Sequence, residues 1–310
     1  MTLSPWPIAE GRLAVSDGEV WYQTINGAAP RVPLLCLHGG PGMPHDYLEP
    51  LAQLADQRPV IFYDQLGCGR SPASAGSPPW TVDRFLAELV SVRSHLGLDE
   101  VILFGNSWGG MLALRYVLER PAGVRGLILS SAPVSVTRWM EDAAKLRAAL
   151  PASVQATLDS HERSGFFSCP EYLGAVAEFY RRHLCRLTPW PDCLERTMAG
   201  LGAEVYEAMW GHSEFGPVTG ALRTWEMAGR LPEVAIPTLV TVGRFDEASP
   251  AHMGQLAAGI PGAELAVFEH SSHLAFLEEQ QPYLARLRSY LDRVDPDPDG
   301  RSGSQERATS

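Results

Sequence analysis

The sequence predicts an α/β fold, in which a mostly parallel sheet is flanked by helices and carries an inserted helical segment. Three observations lead to this prediction. Short apolar runs typical of buried strands alternate with segments of helical period in both halves of the chain. Glycine-rich loops follow several of these runs. Between about residues 133 and 230, helical patterns replace the strand patterns altogether.

The first half of the chain contains most of the predicted strands. Residues 19–25 alternate in polarity, meet the turn signal Asn26-Gly27 and precede the apolar run 32–37, which predicts an antiparallel hairpin. Further strands are predicted at 59–63, 101–104 and 126–130, with helices at 47–56, 81–96 and 111–118 between them. Thr81 is the expected N-cap of the middle helix and Gly97 its stop.

The second half begins with the insertion and ends with the rest of the sheet. Helical periods at 138–150 and 173–184 predict a cap over the loops at one edge of the sheet, and this cap spans residues 133–230. Strands follow at 237–242 and 264–268, with helices at 251–258 and 274–294. The predicted core is therefore residues 1–132 with 231–294. The polar segment 295–310 is expected to be disordered.

Composition excludes several classes of function. A net charge of -11 and scattered arginines argue against a nucleic-acid surface. No run of eighteen apolar residues is present and residues 1–12 do not resemble a secretory signal, so we expect a soluble cytoplasmic protein without membrane contact.

Metal ions and cofactors are not predicted. The five cysteines show no C-x-x-C spacing, so we expect reduced thiols and neither a disulfide framework nor a zinc site. The glycine-rich loop at residues 64–71 lacks the Gly-Lys-Ser/Thr ending of a phosphate-binding loop. The sequence does not determine the oligomeric state.

Residues 101–110, VILFGNSWGG, carry the strongest chemical signal. A buried strand, a G-x-S-x-G turn and a helix meet at Ser107, as in a nucleophile elbow that exposes a serine on a strained turn. The alternative is a glycine-rich turn with an incidental serine, because the five-residue pattern alone occurs often by chance.

A serine nucleophile needs a histidine base and an orienting carboxylate. Asp246 and His273 each follow a predicted strand, so both are expected at the edge of the sheet where Ser107 lies. The order serine, acid, histidine agrees with this arrangement. His270 is the rival base, and Asp64 is the fallback acid.

The loop HGGPG at residues 38–42 follows another predicted strand. Its glycines would let backbone N–H groups approach a ligand, which makes Gly39 and Gly40 candidates for substrate contact and for an oxyanion hole. The alternative is a tight turn into the next helix.

Taken together, HGGPG, DQLGCGRS at 64–71, GNSWGG around Ser107, GRFDE at 243–247 and SSH at 271–273 resemble the proline iminopeptidase family of α/β-hydrolases. The resemblance extends from about residue 32 to residue 291. It implies the α/β-hydrolase fold, a Ser107–His273–Asp246 triad and an oxyanion hole formed by the N–H groups of Gly40 and Trp108.

The resemblance also implies a binding site for a free amine. Residues 209–215, MWGHSEF, are similar to the segment of tricorn-interacting aminopeptidases in which a glutamate binds the amino group of the substrate. In those relatives a second glutamate follows the triad aspartate. Glu214 and Glu247 occupy the two matching positions, although most glutamates are solvated and spacing alone would favour that interpretation.

The preferred hypothesis is a serine aminopeptidase that removes an N-terminal residue, proline among the candidates, from short peptides, amino-acid amides or esters. The first alternative is a carboxylesterase or lactonase of a specialised pathway, with Trp139, Trp190, Trp210 and Trp225 lining an apolar pocket; core packing is the commoner fate of such residues. A non-catalytic receptor is a third class, disfavoured because no expected catalytic residue is missing.

Overall fold

An eight-stranded sheet lies at the centre of the part of the chain described by the computed structural model, residues 5–74 and 79–296. The strands are β1 (Ile8–Val15), β2 (Gly18–Ile25), β3 (Leu34–Leu37), β4 (Val60–Tyr63), β5 (Val101–Asn106), β6 (Val124–Ser130), β7 (Thr238–Gly243) and β8 (Glu264–Phe268). Their order is β1-β2-β4-β3-β5-β6-β7-β8. The β1–β2 and β2–β4 pairs are antiparallel and all the others are parallel, which confirms the predicted mostly parallel sheet.

Helices cover both faces of this sheet, and several lie between β6 and β7. The α-helices are α1 (Val82–His95), α2 (Trp108–Val117), α3 (Val136–Ala148), α4 (Ala152–Ser164), α5 (Pro170–His183), α6 (Asp192–Ala199), α7 (Ala203–Met209), α8 (Pro250–Gly259), α9 (Ala275–Glu278) and α10 (Gln280–Val294). In addition, 3₁₀ helices occupy His45–Asp56, Ala221–Thr224 and Ala228–Glu233.

The central strands are buried on both faces, so their side chains divide between two apolar layers. In β5, Val101 and Leu103 pack on the side of α1 and α2, whereas Ile102 and Phe104 pack on the side of α10. A strand with no polar face can occupy only the interior of a sheet. This burial is why the turn after β5, where Ser107 lies, has a rigid base.

The predicted hairpin at Asn26-Gly27 is wrong. Strand β2 pairs with β1 on one side and with β4 on the other, and β3 instead lies between β4 and β5. All four residues of β3 are buried, and such a strand needs parallel neighbours on both sides. The turn at Asn26 is tied to the 3₁₀ helix by a bond from its side-chain amide to the Ala55 carbonyl (2.6 Å).

Strand β1 was not predicted at all. It forms the edge of the sheet, and five of its eight residues are exposed, including Glu10 and Arg12. An edge strand with so little buried surface lacks the apolar alternation by which strands are recognised in a sequence. The true hairpin joins β1 to β2 through Ser16 and Asp17.

The predicted ends of helix α1 agree with the structure better than the predicted strand pairing does. Thr81 caps α1 by accepting a hydrogen bond from the Arg84 N–H (3.2 Å), and Gly97 has φ +62° after its end, as predicted. The predicted helix 274–294 is divided into α9 and α10. The division falls at Glu279, whose backbone leaves the helical conformation.

The predicted disordered segment begins at residue 295, but the Asp295 carboxylate is bound to protein. It lies 3.0 Å from Nη1 of the fully buried Arg58 and 3.5 Å from Nε of Arg31. Residues 297–310 lie outside the described part of the chain. Among the helices of the described part, none is both long enough and apolar enough to cross a membrane.

Candidate active site

Ser107 lies on a sharp turn between β5 and α2, as the G-x-S-x-G pattern predicts. Its backbone has φ +51° and ψ -121°, a strained conformation for a residue with a side chain. The Ser107 N–H donates to the Ser130 carbonyl at the end of β6 (2.8 Å), which holds the strained turn in place. A Cβ on Gly109 would lie 2.1 Å from the Leu37 carbonyl oxygen, so only glycine lets α2 pack this closely against β3.

The second element of the site is a hydrogen-bonded pair of Asp246 and His273. Nδ1 of His273 lies 2.7 Å from Oδ1 of Asp246, and both side chains are buried. Asp246 also accepts hydrogen bonds from the Ala248 N–H (2.7 Å) and the Ser131 hydroxyl (2.6 Å). Because Nδ1 bonds the carboxylate, Nε2 is the imidazole nitrogen left for chemistry.

The loops that carry this pair are tied to one another. The Phe245 N–H donates to the Ser271 carbonyl (2.9 Å), one bond between the loop after β7 and the loop after β8. On the other side of the histidine loop, the Glu278 carboxylate accepts from the Ser272 N–H and from its hydroxyl (2.7 Å). Local hydrogen bonds therefore fix the backbone on both sides of His273.

The insertion also contacts this loop directly. The His273 N–H donates to the His183 carbonyl at the end of α5 (3.1 Å), and the Leu274 N–H donates to the Leu184 carbonyl (3.2 Å). The His183 ring lies 2.9 Å from the Phe245 carbonyl. Helix α5 is thus hydrogen-bonded to both loops of the acid–base pair.

Electrostatics favour the protonated form of the imidazole. Burial by itself would lower the pKa of His273, but the charge and hydrogen bond of Asp246 outweigh it, with Glu214 and Glu278 adding to the effect. The net result is a pKa raised above the ordinary histidine value. Such a group is suited to take a proton and to hold it as an imidazolium until a leaving group needs it.

The alternatives considered for base and acid are used elsewhere or lie at the surface. His270 is exposed to solvent. Asp64 is fully buried, and its carboxylate bonds Nδ1 of His45 (2.7 Å) and the Arg70 N–H (2.8 Å). Burial by itself would raise the pKa of Asp64, but the hydrogen bond and charge of His45 keep this pKa below its usual value. Asp64 therefore organises its own loop.

The HGGPG loop passes beside Ser107, since a Cβ on Gly39 would lie 3.2 Å from the Ser107 Cβ. A substrate-binding role for Gly39 stays a prediction, and its amide is already bound within the protein. Its N–H already donates to the Tyr47 hydroxyl (2.7 Å), and its carbonyl accepts from the Met43 N–H (3.3 Å). Gly40 has φ +106°, which favours glycine, and Trp108 is the first residue of α2.

Glu214 and Glu247 meet beside the acid–base pair. Glu247 is fully buried, and neither of its carboxyl oxygens accepts a hydrogen bond from an N–H or O–H donor of the described residues. Burial, then the charge and the facing carboxyl group of Glu214, raise the pKa of Glu247 well above its usual value. Its Oε1 lies 3.8 Å from Nδ1 of His273.

Two buried carboxyl groups that face each other repel when both are ionised, so a proton or a cation between them would stabilise the pair. Glu214 is itself 9% exposed, and its carbonyl accepts from the Trp139 indole N–H (2.8 Å). The Trp139 ring centroid lies 6.2 Å from that of His273. The acidic pair therefore lies beside His273, with the Trp139 ring nearby.

Sequence reasoning missed Ser131, although this residue bonds the Asp246 carboxylate. It directly follows β6 and has φ +53°, which is unusual for a residue other than glycine. The only available signal was its position at the carboxyl end of a strand, where functional residues of parallel sheets gather.

Within residues 5–74 and 79–296, no group of three or more His, Cys, Asp or Glu side chains is placed to hold a metal ion. All five cysteines are free thiols.

Comparisons with known proteins agree with this fold. The family model described as alpha/beta hydrolase fold matches residues 32–167. A proline iminopeptidase of Heyndrickxia coagulans is 38% identical over 286 residues, covering 92% of this chain and 99% of the relative.

Solved structures give the same result. VinJ superposes with a TM-score of 0.86 at 38% identity, covering 92% of this chain and 99% of the VinJ chain. Proline iminopeptidase of Mycobacterium smegmatis superposes with a TM-score of 0.84 at 38% identity, covering 92% and 98%. Similarity of this extent over nearly the whole length shows that the chain belongs to the proline iminopeptidase family of α/β-hydrolases and is a serine aminopeptidase.

Proposed function

We propose that this aminopeptidase cleaves the amide bond after an N-terminal residue whose free amine binds between Glu214 and Glu247. One observation carries the proposal: a fully buried glutamate, with no protein donor among the described residues, faces a second glutamate beside the acid–base pair. Burying a carboxylate without a partner costs several kcal/mol, about 3–5 when one member of a pair is missing. An ammonium group would supply that partner.

The position of the acidic pair supports cleavage after the first residue. Glu247 directly follows Asp246 in the chain, and its carboxyl group lies 3.8 Å from the His273 ring. In an N-terminal residue a single Cα separates the α-amine from the carbonyl carbon, so an amine held there would present the carbonyl of that same residue for attack. A substrate whose N-terminus is acylated would bring an uncharged amide to the glutamates and leave the negative charge uncompensated.

Proline suits this pocket well. Its protonated secondary amine presents two N–H donors, one for each carboxyl group, and its ring adds no flexible chain to immobilise. The relative from Heyndrickxia coagulans is named for activity on this residue. We therefore infer that N-terminal proline is accepted, in short peptides and in amino-acid amides.

In the proposed mechanism the Ser107 hydroxyl attacks the carbonyl carbon while Nε2 of His273 takes its proton. Asp246 holds the ring in the required tautomer and stabilises the imidazolium. The C–N bond then breaks, the leaving amine takes the proton from His273, and an acyl-enzyme remains. Water attacks that ester with His273 again acting as the base, and the free amino acid leaves.

Charge that develops on the carbonyl oxygen needs donors that are already in place. We assign this role to the backbone N–H groups of Gly40 and Trp108, because Trp108 directly follows Ser107 and Gly40 belongs to the loop that passes beside it. Each such donor is typically worth about 3–4 kcal/mol of transition-state stabilisation.

We further propose that residues 133–230 act as a cap over a core formed by residues 1–132 and 231–294. The cap contributes Glu214 and the Trp139 indole to the amine pocket, and its helix α5 is bonded to the histidine loop. A cover of this kind excludes water, which strengthens the charge interactions inside.

An ester or lactone substrate without an amine is not favoured, since it would leave the acidic pair unpaired. A substrate panel separates the two readings: L-prolyl, L-alanyl and L-leucyl arylamides, N-acetyl-L-prolyl arylamide and a simple acyl ester. We expect free-amine arylamides to be cleaved and the acetylated one to be at least about 100-fold poorer, the equivalent of roughly 3 kcal/mol.

Rapid hydrolysis of the acyl ester with no cleavage of any arylamide would refute the aminopeptidase assignment. The catalytic serine is tested separately. A fluorophosphonate should label the wild type but not Ser107→Ala, and labelling that persists in this variant would remove Ser107 from the mechanism.

A further inference from the structure

Two hydrogen-bonded bridges join the HGGPG loop to the residues on either side of Ser107. The first bridge is the side chain of Gln65, in the second glycine-rich loop. Its Oε1 accepts from the Trp108 indole N–H (2.8 Å), and its Nε2 donates to the His38 carbonyl (3.0 Å). Gln65 therefore connects the residue after the serine with the residue two positions before Gly40.

The orientation of this amide is determined by its neighbours. An indole nitrogen can only donate, so the atom facing Trp108 must be the amide oxygen, and the amide nitrogen must face the His38 carbonyl. The Gln65 backbone N–H also donates to Nε2 of His38 (2.8 Å), which leaves Nδ1 to donate to the Gly39 carbonyl (3.1 Å). Burial lowers the pKa of His38 to about 4, so the ring is neutral as this pattern requires.

The second bridge is the hydroxyl group of Tyr47, which is completely buried. It accepts from the Gly39 N–H (2.7 Å) and donates to Oδ1 of Asn106 (2.8 Å). The Asn106 amide in turn donates to the Ser130 carbonyl (3.2 Å). Tyr47 thus connects the residue before the serine with the residue before Gly40.

We propose that Gln65 and Tyr47 are positioning residues that fix the distance and angle between the two oxyanion donors. The inference rests on the proposed function, which assigns those donors to the N–H groups of Gly40 and Trp108. The loop needs such restraints because Gly39, Gly40 and Gly42 have no side chains to pack, and the last two have positive φ. One bridge contacts the residue before Ser107 and the other contacts the residue after it, so both donors that would bind the oxyanion are held in place.

Donors that act only on the oxyanion affect the transition state more than the bound substrate. Loss of a bridge should therefore lower kcat and leave KM nearly unchanged. Removal of a whole oxyanion donor costs about 100–1000-fold in kcat. A donor that is displaced but still present should cost less, and we expect roughly 10–100-fold for each bridge.

The variants are Gln65→Met, which keeps the length and removes both hydrogen bonds, and Tyr47→Phe, which removes only the hydroxyl group. Gln65→Glu adds a pH-dependent test, because a carboxylate cannot donate to the His38 carbonyl but a protonated carboxyl group can. The activity of Gln65→Glu relative to wild type should therefore rise as the pH is lowered. Glu88→Gln is the matched control, since Glu88 accepts from the N–H of the neighbouring Leu66 (3.1 Å) and belongs to neither of the two bridges.

Two readouts are needed, with thermal unfolding as the check that each variant is folded. The first is kcat and KM on L-prolyl arylamide, together with inhibition by an L-prolyl boronic acid and by free L-proline. The second is the rate of labelling by a fluorophosphonate, in which Ser107 attacks phosphorus, fluoride leaves and the phosphoryl oxygen occupies the oxyanion hole. The labelling reaction requires no amine pocket.

We expect kcat and the labelling rate to fall together in both bridge variants, with boronate affinity reduced and L-proline affinity kept. Wild-type labelling rates in folded Gln65→Met and Tyr47→Phe would overturn the inference, as would a rise in KM at constant kcat. If arylamides are not cleaved but labelling still falls in the variants, the amine-pocket proposal fails and the inference on the bridges is supported.

Discussion

Replacement of Glu247 by glutamine tests the amine pocket most directly, because it removes a charge and keeps the shape. In the free enzyme the pKa of Glu247 is raised well above the usual glutamate value, first by burial and then by Glu214. The acidic pair therefore retains a proton at pH values where an exposed glutamate is ionised. An ammonium ion arriving between the two groups stabilises the ionised form, so that binding expels the proton.

The expected loss of kcat/KM in Glu247→Gln follows from the burial of the Glu247 carboxyl group. Removing one partner of a buried, hydrogen-bonded ion pair costs about 3–5 kcal/mol. Here Glu214 remains to hold the ammonium, which places Glu247→Gln at the lower end, about 3 kcal/mol. At 1.4 kcal/mol per factor of ten, kcat/KM for L-prolyl arylamide should fall about 100-fold.

The pH dependence gives an independent check. Wild-type affinity for the amine should increase as the pH rises toward the pKa of the amine, about 8, because fewer protons must be expelled from the pair. In Glu247→Gln the affinity for the amine should no longer increase with pH over this range. Titration calorimetry with L-proline in two buffers of different ionisation enthalpy would count the released proton directly.

The reasoning would be refuted by a Glu247→Gln enzyme that keeps kcat/KM within about threefold of wild type. It would also be refuted by equal cleavage of free-amine and N-acetylated substrates. Glu214→Gln is the matched variant from the opposite side of the pocket, and we expect a loss of the same order.

Three further outcomes follow from the structure. Ser131→Ala removes a hydrogen bond to the Asp246 carboxylate worth about 1.5–3 kcal/mol, so kcat/KM should fall at least about 10-fold and its acidic limb should move to higher pH; an unchanged pH profile would contradict this. Asp295→Ala leaves the buried Arg58 without its carboxylate, so the free energy of unfolding in urea should fall by about 3 kcal/mol, and a loss below about 1 kcal/mol would count against the pairing. Burial raises the pKa of Glu88 to about 8, so the folded state holds a proton that the unfolded chain loses above about pH 4.5, and stability declines between these values. Glu88→Gln should therefore be more stable than wild type at pH 9 and equal at pH 4 by thermal unfolding; equal stability at both would show that Glu88 is not buried as an acid.

The fold could be predicted where burial leaves a local pattern in the chain. Strands β5 and β8 lie close to their predicted positions because a short run of mostly apolar residues marks each of them in the sequence. Strand β1 was not predicted because most of its residues are exposed, and the partner of β2 was wrong because pairing in a sheet depends on distant residues. Neither error affected the edge where Ser107 lies.

The sequence alone determined which chemistry is available and in what order along the chain. A serine between glycines after a strand, followed by an aspartate and a histidine after later strands, is a local pattern, and parallel strands bring their carboxyl ends to one edge. The pairing of His273 with Asp246 agrees with it.

Only the tertiary structure decided which polar groups are free to act. It showed the Gly39 amide bound to the Tyr47 hydroxyl, and it placed Gln65 against the Trp108 indole. It also left Glu247 buried against another carboxyl group. The reason is physical: a hydrogen bond or a pKa depends on every neighbour in space, and those neighbours come from segments far apart in the chain.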